Sequence, residues 1–108
     1  MEINMESLIH NLKKAASDIL RKDVSTLRGF ERNQVKALGQ HAKLIAVGIV
    51  SGDIDEDLRN FFIDGLESMA LNFVRVLKGL LEVTIEKVWN AVVNVLIKAI
   101  ETAIGGGL

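Results

Sequence analysis

The sequence contains no cysteine, no proline and no tyrosine. Without cysteine, disulfide bonds, thiolate catalysis and zinc–thiolate sites are excluded. Without proline, no residue forces a helix to kink or to stop, and this favours an all-helical fold. These absences direct the search for function toward helix packing and away from cysteine chemistry.

The sequence also lacks a long uncharged apolar run and a recognisable leader. A membrane-spanning helix needs roughly 18 or more predominantly apolar residues. The longest apolar stretches are interrupted by Arg75, Lys78, Asn90, Asn94 and Lys98. The first six residues include two glutamates and no basic residue. They have neither the basic start nor the apolar core of a signal peptide. We therefore expect a cytoplasmic or particle-associated protein with no transmembrane helix.

What the chain does contain is typical of one globular domain. It has 108 residues, of which 49% are hydrophobic and 25% are charged. Disordered chains are poorer in apolar residues, so we expect residues 1–108 to form a single helical domain with a flexible tail at 105–108. No internal repeat is found.

The net charge of −1 conceals an asymmetry between the two halves of the chain. Residues 1–48 carry eight basic and five acidic side chains, a balance of +3, and residues 49–108 carry five basic and nine acidic, a balance of −4. The two halves should attract each other, within one chain or between copies. Neither imbalance is large enough to indicate nucleic-acid binding, so no nucleic acid is expected as a partner.

Apolar residues recur at spacings of three and four along most of the chain, as on one face of a helix. This pattern predicts an all-α fold, an antiparallel helical hairpin or bundle of three to four helices. The predicted helices cover about 3–21, 25–51, 54–81 and 84–104. We expect this bundle to be completed by oligomerisation.

Whether residues 54–104 form one helix or two is open from the sequence. The polar stripe before Lys78 and the one after Lys87 are out of phase by about one residue, roughly 100° around a helix. Gly79 and the β-branched residues that follow it are poor helix formers. We predict a break or sharp bend near 79–84. The alternative is one helix of about 50 residues that drifts around its axis.

An acidic cluster resembles a calcium loop but lacks one of its essential residues. Asp53, Asp55, Asp57 and Asp64 stand at positions 1, 3, 5 and 12 of such a loop. The glycine needed at position 6 for the sharp turn is replaced by Leu58. We interpret these carboxylates as helix caps.

The two histidines do not form a metal motif. Glu6 and His10 are four residues apart, whereas a di-iron bundle needs Glu-x-x-His on paired helices. His41 lies at the edge of an apolar stripe, and Glu31 falls on that stripe, where it should reach water or a lysine near a bundle end. We expect no metal, no cofactor and no catalytic residues.

The only concentration of basic residues is formed by Arg21, Lys22, Arg28, Arg32 and Lys36. The last three are four residues apart and line one helical face. No aromatic side chains are interleaved with them to stack on bases. We interpret this face as solvated, or as a face that meets the acidic half.

The functional prediction rests on the apolar stretch Leu58–Ile104, which covers more than half of its helical circumference. This surface exceeds what the preceding helices can cover. We therefore predict a non-enzymatic interaction or assembly module that acts by homo-oligomerisation or by packing with a protein partner. A small structural component of a phage or larger particle would fit. The predicted interface residues are Phe73, Leu77, Leu80, Leu81, Val88, Trp89, Val92, Val95 and Leu96.

Two other classes of function stay open at this point. Residues Thr84–Ile104, with Trp89, could lie on a membrane surface as an amphipathic helix, although their polar side has no excess of positive charge. A metal-dependent helical enzyme would rest on Glu31, His41 and the acidic cluster. The assembly module is the favoured prediction.

Overall fold

A computed structural model describes residues 3–108, and these residues form four α-helices and no strand. The predicted all-helical bundle is confirmed. The helices are α1 (Met5–Leu20), α2 (Arg32–Ser51), α3 (Glu56–Arg75) and α4 (Glu82–Ile104), with a short 3₁₀ turn, Val24–Thr26, between α1 and α2.

Local side-chain chemistry explains where the helices begin. The Asn4 side chain accepts a hydrogen bond from the backbone N–H of Ser7 at 3.0 Å and so caps α1. The Asp55 side chain accepts from the N–H of Leu58 at 3.0 Å and caps α3. Of the predicted cap pair Asp53 and Asp55, Asp55 is therefore the cap of α3.

The predicted start of the second helix at residue 25 is wrong, because a turn occupies residues 24–31. The Asp23 side chain accepts from the N–H of Ser25 at 2.9 Å and fixes the 3₁₀ turn. Gly29 then adopts a left-handed conformation, with φ of +89°, which an α-helix cannot continue through. As a result, Glu31 precedes α2 and is exposed, so it does not lie on the buried face of the helix.

The predicted break between the third and fourth helices is confirmed. Helix α3 ends at Arg75 and α4 begins at Glu82, earlier than the predicted 81 and 84. Gly79 lies between them with φ of +82°. The long continuous helix is therefore excluded.

One hydrophobic core draws on all four helices, and α4 lies at its centre, in contact with each of the others. The residues of α4 that point inward follow the spacing of one helical face: Ile85, Val88, Val92, Leu96, Ile100 and Ala103. Within residues 3–108 no polar or charged residue is buried. The core is therefore closed by the chain's own helices, and the two buried side-chain atoms in this range without a hydrogen-bond partner, Gln34 Oε1 and Arg59 Nε, belong to residues that are only partly buried.

Residues 27–31 before α2 and residues 77–81 before α4 form similar turns at a constant offset of 50 residues, whereas the segments just before them differ, a 3₁₀ turn at Val24–Thr26 and the end of α3 at Arg75. Val24–Leu38 and Val74–Val88 both place a glycine with positive φ (29 and 79), and both bury apolar residues at matching positions (35 and 85, 38 and 88). The expectation of no internal repeat is therefore wrong for the structure. The sequence signal was short, because only Val24, Leu27 and Gly29 recur as identical residues in Val74, Leu77 and Gly79.

The two matching turns are in direct contact. The backbone N–H of Lys78 donates to the carbonyl of Arg28 at 2.8 Å. A Cβ atom placed on Gly29 would lie 1.9 Å from the carbonyl oxygen of Val76. Gly29 therefore serves two purposes, the left-handed turn and the close approach of the second turn.

Candidate interaction surface

The structure corrects the predicted interface, because five of its nine residues lie in the chain's own core. Phe73, Leu77, Val88, Val92 and Leu96 are between 0 and 3% exposed. Helices α1 and α2 pack against α4 and cover the surface that was predicted to need a partner. These five side chains cannot line an interface of the folded chain.

The other four predicted interface residues differ in how far they are exposed to solvent. Leu80, Trp89 and Val95 are partly buried and pack against the core, and only Leu81 is largely exposed, at 73%. The indole N–H of Trp89 donates to the carbonyl of Glu67 at 2.9 Å, so this side chain joins α4 to α3. Trp89 is therefore used within the chain.

A different set of large apolar residues is exposed, and most of it lies around the turn between α2 and α3. Ten large hydrophobic residues are exposed in the described part of the chain, and six of them belong to the second half of α2 and the first half of α3. We call these six the α2–α3 patch: Leu44, Val47, Val50, Leu58, Phe61 and Phe62.

Helical spacing places Leu44, Val47 and Val50 along one side of α2. Val47 and Val50 also line a groove together with Ile3 and Ala103. The inner side of the same helix is formed by Val35, Leu38, Gly39, Ala42, Ile45 and Ala46. Helix α2 is therefore apolar on its buried side along its whole length and apolar on both sides in its second half.

A short connection joins the end of α2 to the beginning of α3. Gly52, with φ of +86°, ends α2, and Ile54 is buried against Gly48. The side chain of Ile54 occupies the space that a Cβ on Gly48 would need, at 2.6 Å from its Cδ1 atom. The missing side chain at Gly48 thus lets the connection fold back closely onto α2.

Phe61 and Phe62 form the aromatic part of the patch. Their rings are in an edge-to-face arrangement with centroids 5.4 Å apart, and Phe61 is 71% exposed. Beside them an open groove of about 340 Å³ separates α3 from α2, and its lining includes His41, Ile45, Leu66 and Met69. An exposed phenylalanine next to an apolar groove has the chemistry of a protein-binding surface.

Charges of opposite sign lie at opposite ends of α2. Arg28, Arg32 and Lys36 are exposed near its beginning, and Asp53 and Asp57 are exposed beyond its end. Within residues 3–108 the ion pairs are Lys14–Asp18 and Arg75–Glu82, each with an N···O distance of 2.9 Å. Neither ion pair joins the basic beginning of α2 to the acidic beginning of α3. The attraction predicted between residues 1–48 and residues 49–108 is therefore not seen as an ion pair between these two helix ends.

Asp23, which lies outside the α2–α3 patch, has a pKa that is lowered from its ordinary value. The hydroxyl and the backbone N–H of Ser25 lower the pKa of Asp23, with Lys13 adding a smaller effect. That carboxylate caps a turn, as described above. Within residues 3–108 no three His, Asp or Glu side chains come together in a way that could hold a metal ion.

The patch had a sequence signal that the periodicity analysis did not use. Leu44, Val47 and Val50 are three residues apart in the sequence and lie outside the face that α2 buries. Several large apolar residues outside the buried face of a helix indicate an exposed apolar surface.

Comparison with known proteins adds no identification. No family model, no curated protein and no solved structure matches this chain. Of the helices in residues 3–108, none combines the length and the apolar character needed to cross a membrane.

Proposed function

We propose that this chain is a non-enzymatic helical assembly module that self-associates through the α2–α3 patch. The observation that supports the proposal is the exposure of six large apolar residues beside a core that is already complete. Soluble monomers rarely leave large contiguous apolar patches exposed, and such patches mark interaction sites. Burying the patch against another copy would remove these side chains from water.

The charges around the patch favour a protein surface over a lipid surface as its target. Interfacial helices that bind membranes combine an apolar face with lysine and arginine, which attract anionic lipids. Beside the patch the basic residues Lys43 and Arg59 are outnumbered by carboxylates, which are Asp53, Asp55, Glu56, Asp57 and Asp64. These carboxylates would repel an anionic bilayer.

The proposal is tested by replacing one exposed apolar residue inside the patch and one outside it. Phe61→Ser should lower the molar mass measured by light scattering at tens of micromolar, because it removes the most exposed aromatic ring of the patch. Val83→Ser is the matched control, since Val83 is also exposed, at 57%, but lies at the beginning of α4. It should leave the molar mass of the parent unchanged.

Two results would contradict the proposal. One is a parent chain that is strictly monomeric at these concentrations. The other is co-sedimentation with phosphatidylcholine–phosphatidylglycerol vesicles that depends on Phe61 and dissociates the oligomer, which would favour the membrane-surface alternative.

A further inference from the structure

A groove runs between the beginning of α1 and the end of α4, and none of its lining residues belongs to the α2–α3 patch. We call it the α1–α4 groove. Its volume is about 460 Å³, which is within the range of small-molecule sites. On α4 the lining extends from Val95 to Ala103, eight residues (103 − 95) or about 12 Å along the helix axis. The groove therefore has the size and the elongated shape for a small molecule.

The apolar wall of the α1–α4 groove is aliphatic. It consists of Ile3, Leu8, Val95, Ala99 and Ala103, and within residues 3–108 no aromatic side chain lines the groove. A flat aromatic ligand would find no ring to stack on, whereas an alkyl chain is buried by aliphatic contacts alone. The wall therefore favours an alkyl chain as the apolar part of a ligand.

The polar part of the lining carries one charge, and it is positive. Lys98 is the only charged residue among the described residues that line the groove. Lys98 is exposed and takes part in no ion pair within residues 3–108. Three further lining residues have side chains that can donate a hydrogen bond, namely Ser7, Asn11 and Thr102. A cation with several hydrogen-bond donors matches an anionic head group.

The carboxylate that follows Lys98 on α4 is used elsewhere. Glu101 does not line the groove, and its Oε2 atom accepts a hydrogen bond from the backbone N–H of Leu108 at 3.0 Å. The end of the chain thus holds this carboxylate, and Lys98 keeps its positive charge available to a ligand.

A smaller groove beside the end of α2 adjoins the first. Its volume is about 220 Å³, and it shares Ile3 and Ala103 with the α1–α4 groove. Because Val47 and Val50 of the α2–α3 patch line this smaller groove, the site inferred below is confined to the α1–α4 groove.

We propose that the α1–α4 groove binds a single-chain amphiphile with an anionic head group, such as a fatty acid. The alkyl chain lies against Ala99 and Ala103, and the head group pairs with Lys98. The site is independent of the proposed self-association, because the two surfaces have no residue in common.

The charge preference is tested with three probes that share a dodecyl chain, each used below its critical micelle concentration. The probes are dodecanoate, dodecanol and dodecyltrimethylammonium. Isothermal titration calorimetry of the unmodified chain should give the lowest Kd for dodecanoate, since only this probe pairs with a lysine. If dodecyltrimethylammonium binds as tightly as dodecanoate, or if no probe binds, the proposal is overturned.

The place of binding is tested by NMR at a protein concentration where the monomer predominates. Dodecanoate should shift the backbone amide signals of Ser7, Ala99 and Thr102, and it should leave those of Leu44 and Phe61 in place. Shifts centred on Leu44 and Phe61 would show that the probe covers the α2–α3 patch, and would overturn the proposed site.

The role of Lys98 is tested by Lys98→Gln, with Lys87→Gln as the matched control. Both lysines are exposed residues of α4, but Lys87 does not line the groove. Lys98→Gln should raise the Kd for dodecanoate roughly three- to fivefold, as expected for an exposed ion pair, and leave the Kd for dodecanol unchanged. Lys87→Gln should change neither. An unchanged Kd for dodecanoate in Lys98→Gln would overturn the proposal.

Binding and self-association can fail separately. A parent chain that stays monomeric but binds dodecanoate in the α1–α4 groove supports this site and contradicts the proposed function. A parent chain that self-associates through the α2–α3 patch but binds none of the three probes supports the proposed function and overturns this site.

Discussion

Gly29 and Gly79 have nearly the same backbone conformation in two different environments. Their φ angles are +89° and +82°. A Cβ on Gly29 would collide with the Val76 carbonyl oxygen, whereas a Cβ on Gly79 would meet nothing within 4 Å. Alanine substitutions at these two glycines therefore separate two free-energy costs, that of a left-handed non-glycine backbone and that of a steric collision.

We expect Gly79→Ala to lower the free energy of unfolding by about 1–2 kcal/mol, the cost of a left-handed non-glycine residue. Gly29→Ala should cost at least about 2 kcal/mol more, because the two turns must separate and the Lys78–Arg28 hydrogen bond is lost. Urea titration of both variants measures the difference. Equal losses would show that the turns are not packed as described.

Asp23 gives a prediction about pH. Its lowered pKa means that the carboxylate stabilises the folded chain above its ordinary pKa of 3.8, and that this contribution is lost as the pH falls through the lowered value. Ser25→Ala removes the hydroxyl that donates to Asp23 Oδ1 at 2.7 Å. The pKa of Asp23, followed by NMR titration, should therefore rise toward its ordinary value.

Thr26→Ala is the matched control for this titration. The Thr26 hydroxyl donates to the backbone carbonyl of Asp23, also at 2.7 Å, and not to the carboxylate. Its removal should leave the pKa of Asp23 nearly unchanged. If both substitutions raise that pKa equally, the hydroxyl of Ser25 is not its main cause.

At the scale of single elements, the two sides of α2 make different contributions. Leu38 is 1% exposed and Leu44 is 65% exposed on the same helix. We expect Leu38→Ala to lower the free energy of unfolding by about 2–5 kcal/mol, because it leaves a cavity in the core. Leu44→Ala should change it by no more than about 0.5 kcal/mol in the monomer, as is usual for an exposed site.

Urea titration at low concentration, where the monomer predominates, measures both substitutions of α2. At high concentration Leu44→Ala should lower the free energy of unfolding by more than it does at low concentration. A patch residue contributes to stability only when a second copy is bound. A large loss at low concentration would place Leu44 in the core and contradict the exposed patch.

The elements also show what local sequence patterns can and cannot predict. Ser51-Gly52-Asp53 and the weak helix formers after Lys78 predicted two breaks, and both are present. The turn at 24–31 was missed because Leu27 fits the apolar spacing of the following helix. Asp23 and Gly29 override that spacing by fixing the turn, an effect of hydrogen bonding and positive φ that apolar periodicity does not detect.

For the whole molecule, the prediction that the C-terminal half carries more apolar surface than the preceding helices can cover is wrong. The C-terminal half is apolar because α4 packs against each of the other three helices. A sequence shows how much apolar surface a helix carries, but it does not show which helix is central. That assignment depends on tertiary packing, and it moves the candidate interface from α4 to α2 and α3.

The shape of the molecule fits this revised location. Its principal extents are 42, 25 and 21 Å, so the helices run along one long axis with the turns at its ends. The charged ends of α2 are therefore separated along the length of the molecule.

Sedimentation equilibrium of the unmodified chain, from micromolar to several hundred micromolar, tests the central claim most directly. The account predicts a reversible rise from the monomer mass of 11.9 kDa toward twice that value as the concentration increases. A mass that stays at 11.9 kDa over the whole range would contradict self-association through the α2–α3 patch.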